Sequence, residues 1–273
     1  MDRGSQARLK RRRDRELEAG ARAHYADPAY YAKAYADRTE DVDFYVRLAK
    51  KAGGPVLEYG VGNGRIAIPI ARAGVPVTGV DHSREMLADL RGRLGHEPAD
   101  VRRRVATRCG DMRRVRLKRR FPLVICPFNG LLHLYARADV EQFLARVRDH
   151  LSPRGRFVLD VSMPDPGELS RDPNRAYSSP RFRYPGGPIV SYEERFDYDR
   201  VRQILFVRMD FSPVGSRGRP WATPLAHRQL YPQELEALLH YNGFAVEAIS
   251  GDYAGGPLEQ DSDVIVVTCC KRR

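Results

Sequence analysis

From Val56 onward the chain alternates short apolar runs with amphipathic ones, a spacing that predicts strands and helices in turn. An apolar strand over Val56–Tyr59 enters a glycine-rich turn, a helix follows from about Arg65 to Ala73, and a strand over Val75–Val80 completes a βαβ unit. Downstream the pattern gives a helix Arg84–Leu94, a short strand Val105–Cys109, an apolar strand Leu123–Cys126 and a helix Val140–His150. The turn-forming Ser-Pro-Arg-Gly then leads into a strand Arg156–Val161. Strands parted by helices of this length imply a parallel sheet with helices on both faces, an α/β doubly wound fold.

After Met163 the rhythm changes. Proline and glycine crowd the segment to Pro188, and Ile189–Phe196, Gln203–Asp210 and Ala222–Leu230 read as three strands without intervening helices, an antiparallel β insertion. A helix opening at Pro232, a strand Phe244–Ile249 and a last strand Asp263–Cys269 return to the earlier style. Upstream, Arg8 to Ala23 is charged with little apolar periodicity, as in a solvent-exposed helix, and His24 to Ala52 gives two short helices rich in aromatic residues and alanine. The implied organisation is a basic tail over 1–23, a helical lid over 24–50, a core over 51–178 and 231–273, and the insertion over 179–230. The insertion is expected on the substrate or oligomer side of the core, with Tyr192, Phe196 and Phe206 packed inward or lining the pocket.

Charge and composition narrow this picture. Hydrophobic residues are 42% and charged residues 30% of the chain, as in ordinary globular proteins. No apolar run approaches the roughly 18 residues of a membrane span, so no membrane partner is expected. The basic N-terminus leads into Glu16 and Glu18 rather than an apolar stretch, so no secretory signal is expected and the cytoplasm is the expected location. The formal charge of +12 is concentrated in Arg8–Arg15 and Arg102–Arg120, a field that attracts anions. No aromatic interleaving accompanies it, which disfavours nucleic acid as a partner. Cys109, Cys126, Cys269 and Cys270 form no CxxC pair and lack a nearby histidine at metal spacing, so no metal is expected. Adjacent Cys269 and Cys270 point to opposite faces of a strand and read as free thiols.

The sharpest chemical signal is Val-Leu-Glu-Tyr-Gly-Val-Gly-Asn-Gly-Arg, with Glu58 at a strand end and Gly60, Gly62 and Gly64 in the turn that follows. Glycines there allow a tight turn and close approach of a ligand. A dinucleotide fingerprint needs GxGxxG, whereas the spacing here is GxGxG, which disfavours NAD. With Asp81 closing the second strand and Cys-Gly-Asp-Met placing Asp111 and Met112 after the third, the chain resembles the class I S-adenosylmethionine-dependent methyltransferases, small-molecule type. The resemblance covers roughly His24 to Arg273, the insertion least specifically. It implies a Rossmann-like, mostly parallel seven-stranded sheet and S-adenosyl-L-methionine as cofactor. It assigns the methionine part to Glu58 and the glycines, the ribose hydroxyls to Asp81, and the adenine amine to Asp111, with Met112 beside it. A carboxylate is suited to each task, since it accepts two hydroxyl bonds or one from an exocyclic amine.

The stretch Ile125 to Tyr135 follows the fourth strand, where this family commonly places the methyl acceptor. It lacks the motif of enzymes that methylate nucleic-acid base amines, and Cys126, at the end of an apolar strand, reads as an inert thiol. His133 is the candidate general base, because a neutral imidazole accepts a proton from a hydroxyl or ammonium substrate. Tyr31 and Tyr35 resemble aromatic lid residues of sugar and small-amine members, which adds them to the expected cofactor-binding set. The function expected is methyl transfer to O or N of a small molecule by in-line displacement, with a homo-oligomer allowed. An RNA methyltransferase or RNA-associated protein using the arginine-rich surface, and an inactive cofactor-binding protein, stand as alternatives.

Overall fold

The computed structural model describes residues 15–215 and 218–272. Most of the expected basic tail lies outside the described residues, and residues 15–20 are helical. In chain order the first elements are helices α1 (Pro28–Ala34) and α2 (Glu40–Ala52), strand β1 (Val56–Tyr59), α3 (Ala67–Arg72), β2 (Val77–Asp81), α4 (Arg84–Gly95), α5 (Ala99–Arg104) and β3 (Val105–Cys109). There follow β4 (Phe121–Cys126), a 3₁₀ turn Gly130–His133, α6 (Arg137–His150), β5 (Leu151–Ser162) and the single turn α7 (Pro166–Leu169). Strands β6 (Tyr177–Arg183), β7 (Ile189–Asp199), β8 (Ile204–Pro213) and β9 (Trp221–Arg228) come next. Helix α8 (Pro232–Tyr241), β10 (Phe244–Ser250) and β11 (Val264–Lys271) close the chain.

These elements form two compact units, one of residues 34–164 with 230–273, the other of residues up to Lys33 with 165–229. The first holds a seven-stranded sheet in the order β10-β11-β5-β4-β1-β2-β3. Strands β1 to β5 are parallel, and β11 runs antiparallel to both β5 and β10. The chain proceeds outward from β1 through β2 to β3, and β4 starts again on the other side of β1. That reversal opens a crevice at the carboxyl ends of β1 and β4, where doubly wound sheets bind ligands.

All four residues of β1 are buried, and side-chain alternation sorts them between two apolar layers. Leu57 and Tyr59 join the cluster of Phe143, Phe157 and Leu239, whereas Val56 joins Tyr45, Ile70 and Leu90. On β5, Phe157, Leu159 and Val161 enter the first layer and Val158 the second. The period of two therefore puts Glu58 and Asp160 on one face of the sheet, the face of Tyr45 and α2.

The second unit is a sheet in the order β6-β7-β8-β9, antiparallel throughout. Its core is Val190, Met209, Phe211 and Tyr30, with Tyr30 stacked on Tyr184 at 5.4 Å and the Tyr184 hydroxyl donating to Asp27 at 2.7 Å. Phe196 is buried, and Arg195 pairs across strands with Asp210.

Several expectations are corrected. The insertion has a fourth strand, β6, hidden in the sequence by Ser178, Ser179 and Pro180. As an edge strand it tolerates proline, and its register shifts between Ser179 and Phe182. Strand β5 starts at Leu151, so the expected Ser-Pro-Arg-Gly turn lies within it, and the irregularity is absorbed by a shift between Phe121 and Leu123 in the pairing with β4. The segment 24–50 is not one lid: α1 belongs to the four-stranded unit and α2 to the seven-stranded one, and the boundary after the core lies at Asp165 rather than 179.

Candidate functional site

Within the seven-stranded unit the turn after β1 is built by three glycines at positive φ, 71° at Gly60, 53° at Gly62 and 81° at Gly64. They serve different ends. A Cβ on Gly64 would stand 2.2 Å from Leu90 Cδ1, so this glycine is required by close contact with α4, while the space at Gly60 is open. The turn is anchored to β2 through the Gly60 amide, which donates to the Val80 carbonyl at 2.8 Å.

Asp81, at the end of β2, holds both neighbouring loops. Its Oδ2 accepts from the Gly62 amide at 2.8 Å and its Oδ1 from the Ser83 amide at 2.8 Å. Ser83 in turn caps α4 by accepting from the Met86 amide. Each carboxylate oxygen retains acceptor capacity beyond these bonds.

Glu58 is 2% exposed, and its Oε2 accepts no hydrogen bond among the described residues. Burial pushes its carboxyl well above the ordinary range; Arg65 opposes this and Asp81 and Asp41 add to it. An ionisable group left so is costly unless a ligand completes it, and a cationic nitrogen is the partner a carboxylate calls for. Asn63, between the second and third glycines, is 1% exposed, and neither of its side-chain polar atoms is bonded among the described residues. The sequence pattern marks that position only as a spacer.

Asp111 follows β3 and is gripped by Arg113, whose amide donates to Oδ1 at 2.8 Å and whose guanidinium reaches both oxygens. Burial pulls its carboxyl upward, but the bonds from Arg113 outweigh that and hold it below the usual value. Arg113 also pairs with Asp139 of α6. Met112 packs on the edge of the larger apolar cluster.

The loop after β4 turns through two consecutive non-glycine residues at positive φ, Phe128 at 52° and Asn129 at 64°. Asp160 of β5, buried beneath it, accepts from the Phe128 amide at 2.9 Å, the Tyr253 hydroxyl at 3.0 Å and the Tyr45 hydroxyl at 2.6 Å. Asn129 is locked to Ser162 by reciprocal bonds of 2.6 and 2.9 Å. The Phe128 ring carries Tyr35 edge-on at 4.8 Å and the Arg65 guanidinium at 4.5 Å, and Arg65 is itself paired with buried Asp41. A cleft of about 930 Å³ opens beside this loop, lined by Phe128, Asn129, Asp160 and Tyr253 and by several acids from residues 37–41 and 251–264.

His133 ends the 3₁₀ turn that follows, half-buried, with Nδ1 shielded from solvent. Cys126 is wholly buried, and its thiol is pushed up by burial first and then by Asp160 and Glu58, which removes it as a nucleophile at neutral pH. Among the sequence candidates, Glu58, the three glycines, Asp81, Asp111, Met112, His133 and Tyr35 fall in the seven-stranded unit. Tyr31 falls in the four-stranded unit, buried edge-on against His24 at 5.9 Å. The sequence reading included Phe128 only as part of the acceptor stretch after the fourth strand, and it missed Asn63, Arg65 and Asp160. Only Asp160 carried a signal, as the one charged residue inside the apolar run Phe157–Val161.

The fold and this acid-and-glycine arrangement define a nucleoside-binding α/β protein, and comparison with known proteins specifies it. A methyltransferase-domain family model matches residues 56–155. The glycine/sarcosine N-methyltransferase of Aphanothece halophytica is 30% identical over 238 residues, covering 85% of this chain and 82% of its own. The solved CcbJ methyltransferase of Streptomyces caelestis is 25% identical with a TM-score of 0.76, over 86% of this chain and 97% of its own. A glycopeptide N-methyltransferase, MtfA, solved with S-adenosylmethionine, is 26% identical with a TM-score of 0.57, over 87% of this chain and 95% of its own. The chain belongs to the class I S-adenosylmethionine-dependent methyltransferases; it is an enzyme that uses this cofactor to methylate a small molecule. Among the described residues no helix is long and apolar enough to cross a membrane.

Proposed function

We propose that the methyl acceptor is the amino nitrogen of a small molecule and that the cofactor is held by the groups around the glycine turn. The observation that carries the cofactor assignment is the buried Glu58 oxygen without a protein partner, which fits the ammonium of the cofactor's methionine part. Asp81 then receives the ribose hydroxyls on the acceptor capacity left by Gly62 and Ser83. Asp111, already steadied by Arg113, receives the adenine amine beside Met112. When bound, the cofactor supplies an electrophilic sulfonium methyl. The protein's own part is to hold an acceptor in line with that methyl and keep water away, which supplies most of the acceleration when the nucleophile is a neutral amine.

The acceptor assignment is supported by the N-methyltransferase names of the Aphanothece and glycopeptide relatives. The acidic lining of the cleft beside the Phe128 loop also attracts cationic amines, and its sign is opposite to the chain's net charge. His133 is assigned the ammonium proton, and Tyr35 the closure of the site over Phe128. The four-stranded unit is assigned to acceptor recognition or self-association. We take the cytoplasm as the site of action, supported by four free thiols. Nucleic acid is not favoured as a partner.

The test is turnover on a panel of small amines, amino sugars and their hydroxyl analogues, followed as S-adenosylhomocysteine release, with Glu58→Gln and Asp81→Ala alongside. Amines should turn over and hydroxyl analogues should not. Both variants should bind cofactor about 10- to 100-fold more weakly by calorimetry, the loss of a buried charge-assisted bond. Turnover confined to the hydroxyl analogues would overturn the acceptor assignment, and unchanged cofactor affinity would overturn the residue roles.

A further inference from the structure

The turn sets two consecutive non-glycine residues, Phe128 and Asn129, at positive φ, a conformation that asparagine tolerates and phenylalanine rarely adopts. Besides the turn's own bonds from the Gly130 amide to the Pro127 carbonyl and from the Leu132 amide to the Asn129 carbonyl, β5 supplies the Asp160 carboxylate on the Phe128 amide, the Asp160 carbonyl on the Asn129 amide at 3.2 Å, and the reciprocal Asn129–Ser162 pair. Downstream of the turn lies His133, and against the Phe128 ring lies Arg65, the residue that leaves the glycine turn. One buried carboxylate thus braces the loop that joins the cofactor side of the site to its acceptor side.

We propose that Asp160 is a positioning residue for methyl transfer, acting through the Phe128 amide to hold the strained turn after β4 in the geometry that presents the acceptor. The proposal rests on the reading above that this loop faces the acceptor. In the ionised form Asp160 only accepts: Oδ1 from Tyr45, Oδ2 from Phe128 N–H and Tyr253. Protonated, it must donate to one of these partners. The amide cannot accept, so a tyrosine hydroxyl must reverse, and the bond to Phe128 loses its charge assistance. The groups facing it are Tyr45 and Asp41 from α2, Tyr253 from the loop after β10, and Cys126 from β4, with Glu58 two strands away and Arg65 neutralising Asp41. Burial, opposed by the bonds from Tyr45 and Phe128, raises its carboxyl to about 6, inside the range where enzymes work.

Three variants test this on the full chain. Asp160→Ala should lower kcat more than tenfold while cofactor Kd stays within threefold, and amides 128–133 should exchange hydrogen faster at fixed pH. Asp160→Asn can keep the oxygen facing Phe128 and Tyr253 and offer its amide to Tyr45. Neutral like the protonated acid, it should hold kcat at every pH near the acid-side level of the wild type, below wild type at pH 8 but above the alanine variant, recover part of the exchange protection, and lack the fall in kcat that the wild type should show near pH 6. Tyr253→Phe removes a bond that favours the ionised form, so its acid limb should move to higher pH. Should the alanine variant fail to fold, the asparagine and phenylalanine variants decide through their pH profiles. Wild-type kcat in Asp160→Ala, or an acid limb unchanged in Asp160→Asn, would overturn the proposal. A wild type that methylates no amine speaks against the acceptor reading alone. Exchange at 128–133 then separates the two, since it needs no acceptor: equal protection in alanine and wild type removes Asp160 from this role.

Discussion

Single residues divide into those the sequence announces and those that only packing reveals. Glu58 and Asp81 were legible because each is an acid at the carboxyl end of an apolar strand, and the glycine spacing between them is a local feature. Their environments were not: that Asp81 also braces Gly62 and Ser83, and that one Glu58 oxygen has no partner among the described residues, depends on chain segments brought together by the sheet. Phe128 and Asn129 look like ordinary loop residues, and their strain is visible only in the backbone. His133 lies where the sequence put it, in the turn after β4, yet its work depends on the acceptor. An amine needs little help once neutral, whereas a hydroxyl requires a base as the new bond forms. With an amine acceptor, His133→Ala should reduce kcat at pH 8 by less than about tenfold, against the roughly 10² to 10⁴ expected of a general base on a hydroxyl. Single-turnover rates at saturating cofactor measure it, and a loss in the larger range would return the acceptor assignment to oxygen.

At the level of elements, β1, β2 and β4 were readable because strands buried on both faces of a parallel sheet are short continuous apolar runs. Strand β6 and helix α5 were not, for the opposite reason. The serines and proline of one and the three arginines of the other suit an exposed edge and a solvated turn, where propensity gives way to context. Strand order was also beyond a local reading: that β11 lies between β5 and β10 follows from pairing, not from periodicity. The four-stranded sheet has its own apolar cluster, distinct from the two that line the larger sheet, and the proposed cofactor residues other than Tyr31 lie in the larger unit. Replacing residues 165–229 by a flexible linker should therefore leave a cooperatively folding protein that binds S-adenosylhomocysteine within about tenfold of the full chain, as calorimetry would show. Loss of cofactor binding in a still-folded variant would show that residues 165–229 contribute to cofactor binding.

Across the whole molecule, the two units carry buried ionisable groups of opposite linkage. In the four-stranded unit His24 is held down to about 4 by burial, and His227 to about 4 by burial and then by the charge of His24. Each binds its proton less tightly folded than unfolded, so the stability of that unit is full above about pH 6.5 and falls as pH drops toward 4, by roughly 2 kcal/mol per histidine at pH 5. In the seven-stranded unit Asp160, raised to about 6 by burial, binds its proton more tightly folded than unfolded. Its contribution is full below about pH 4 and is lost as pH rises through 6, so acidification to pH 5 adds about 1 kcal/mol there, and Glu58, raised for the same reason, acts in the same sense. In the sequence only Asp160, set in an apolar run, hinted at burial; the shifts of His24 and His227 depend on packing that no local pattern shows. Lowering the pH from 7.5 to 5 should thus weaken amide protection in β7, β8 and β9 and preserve or raise it in β1, β4 and β5. Hydrogen exchange followed by mass spectrometry, corrected for the intrinsic rate at each pH, resolves the two regions. A uniform loss of protection across both sheets would show that the units unfold as one and that their opposing linkages are averaged over the chain.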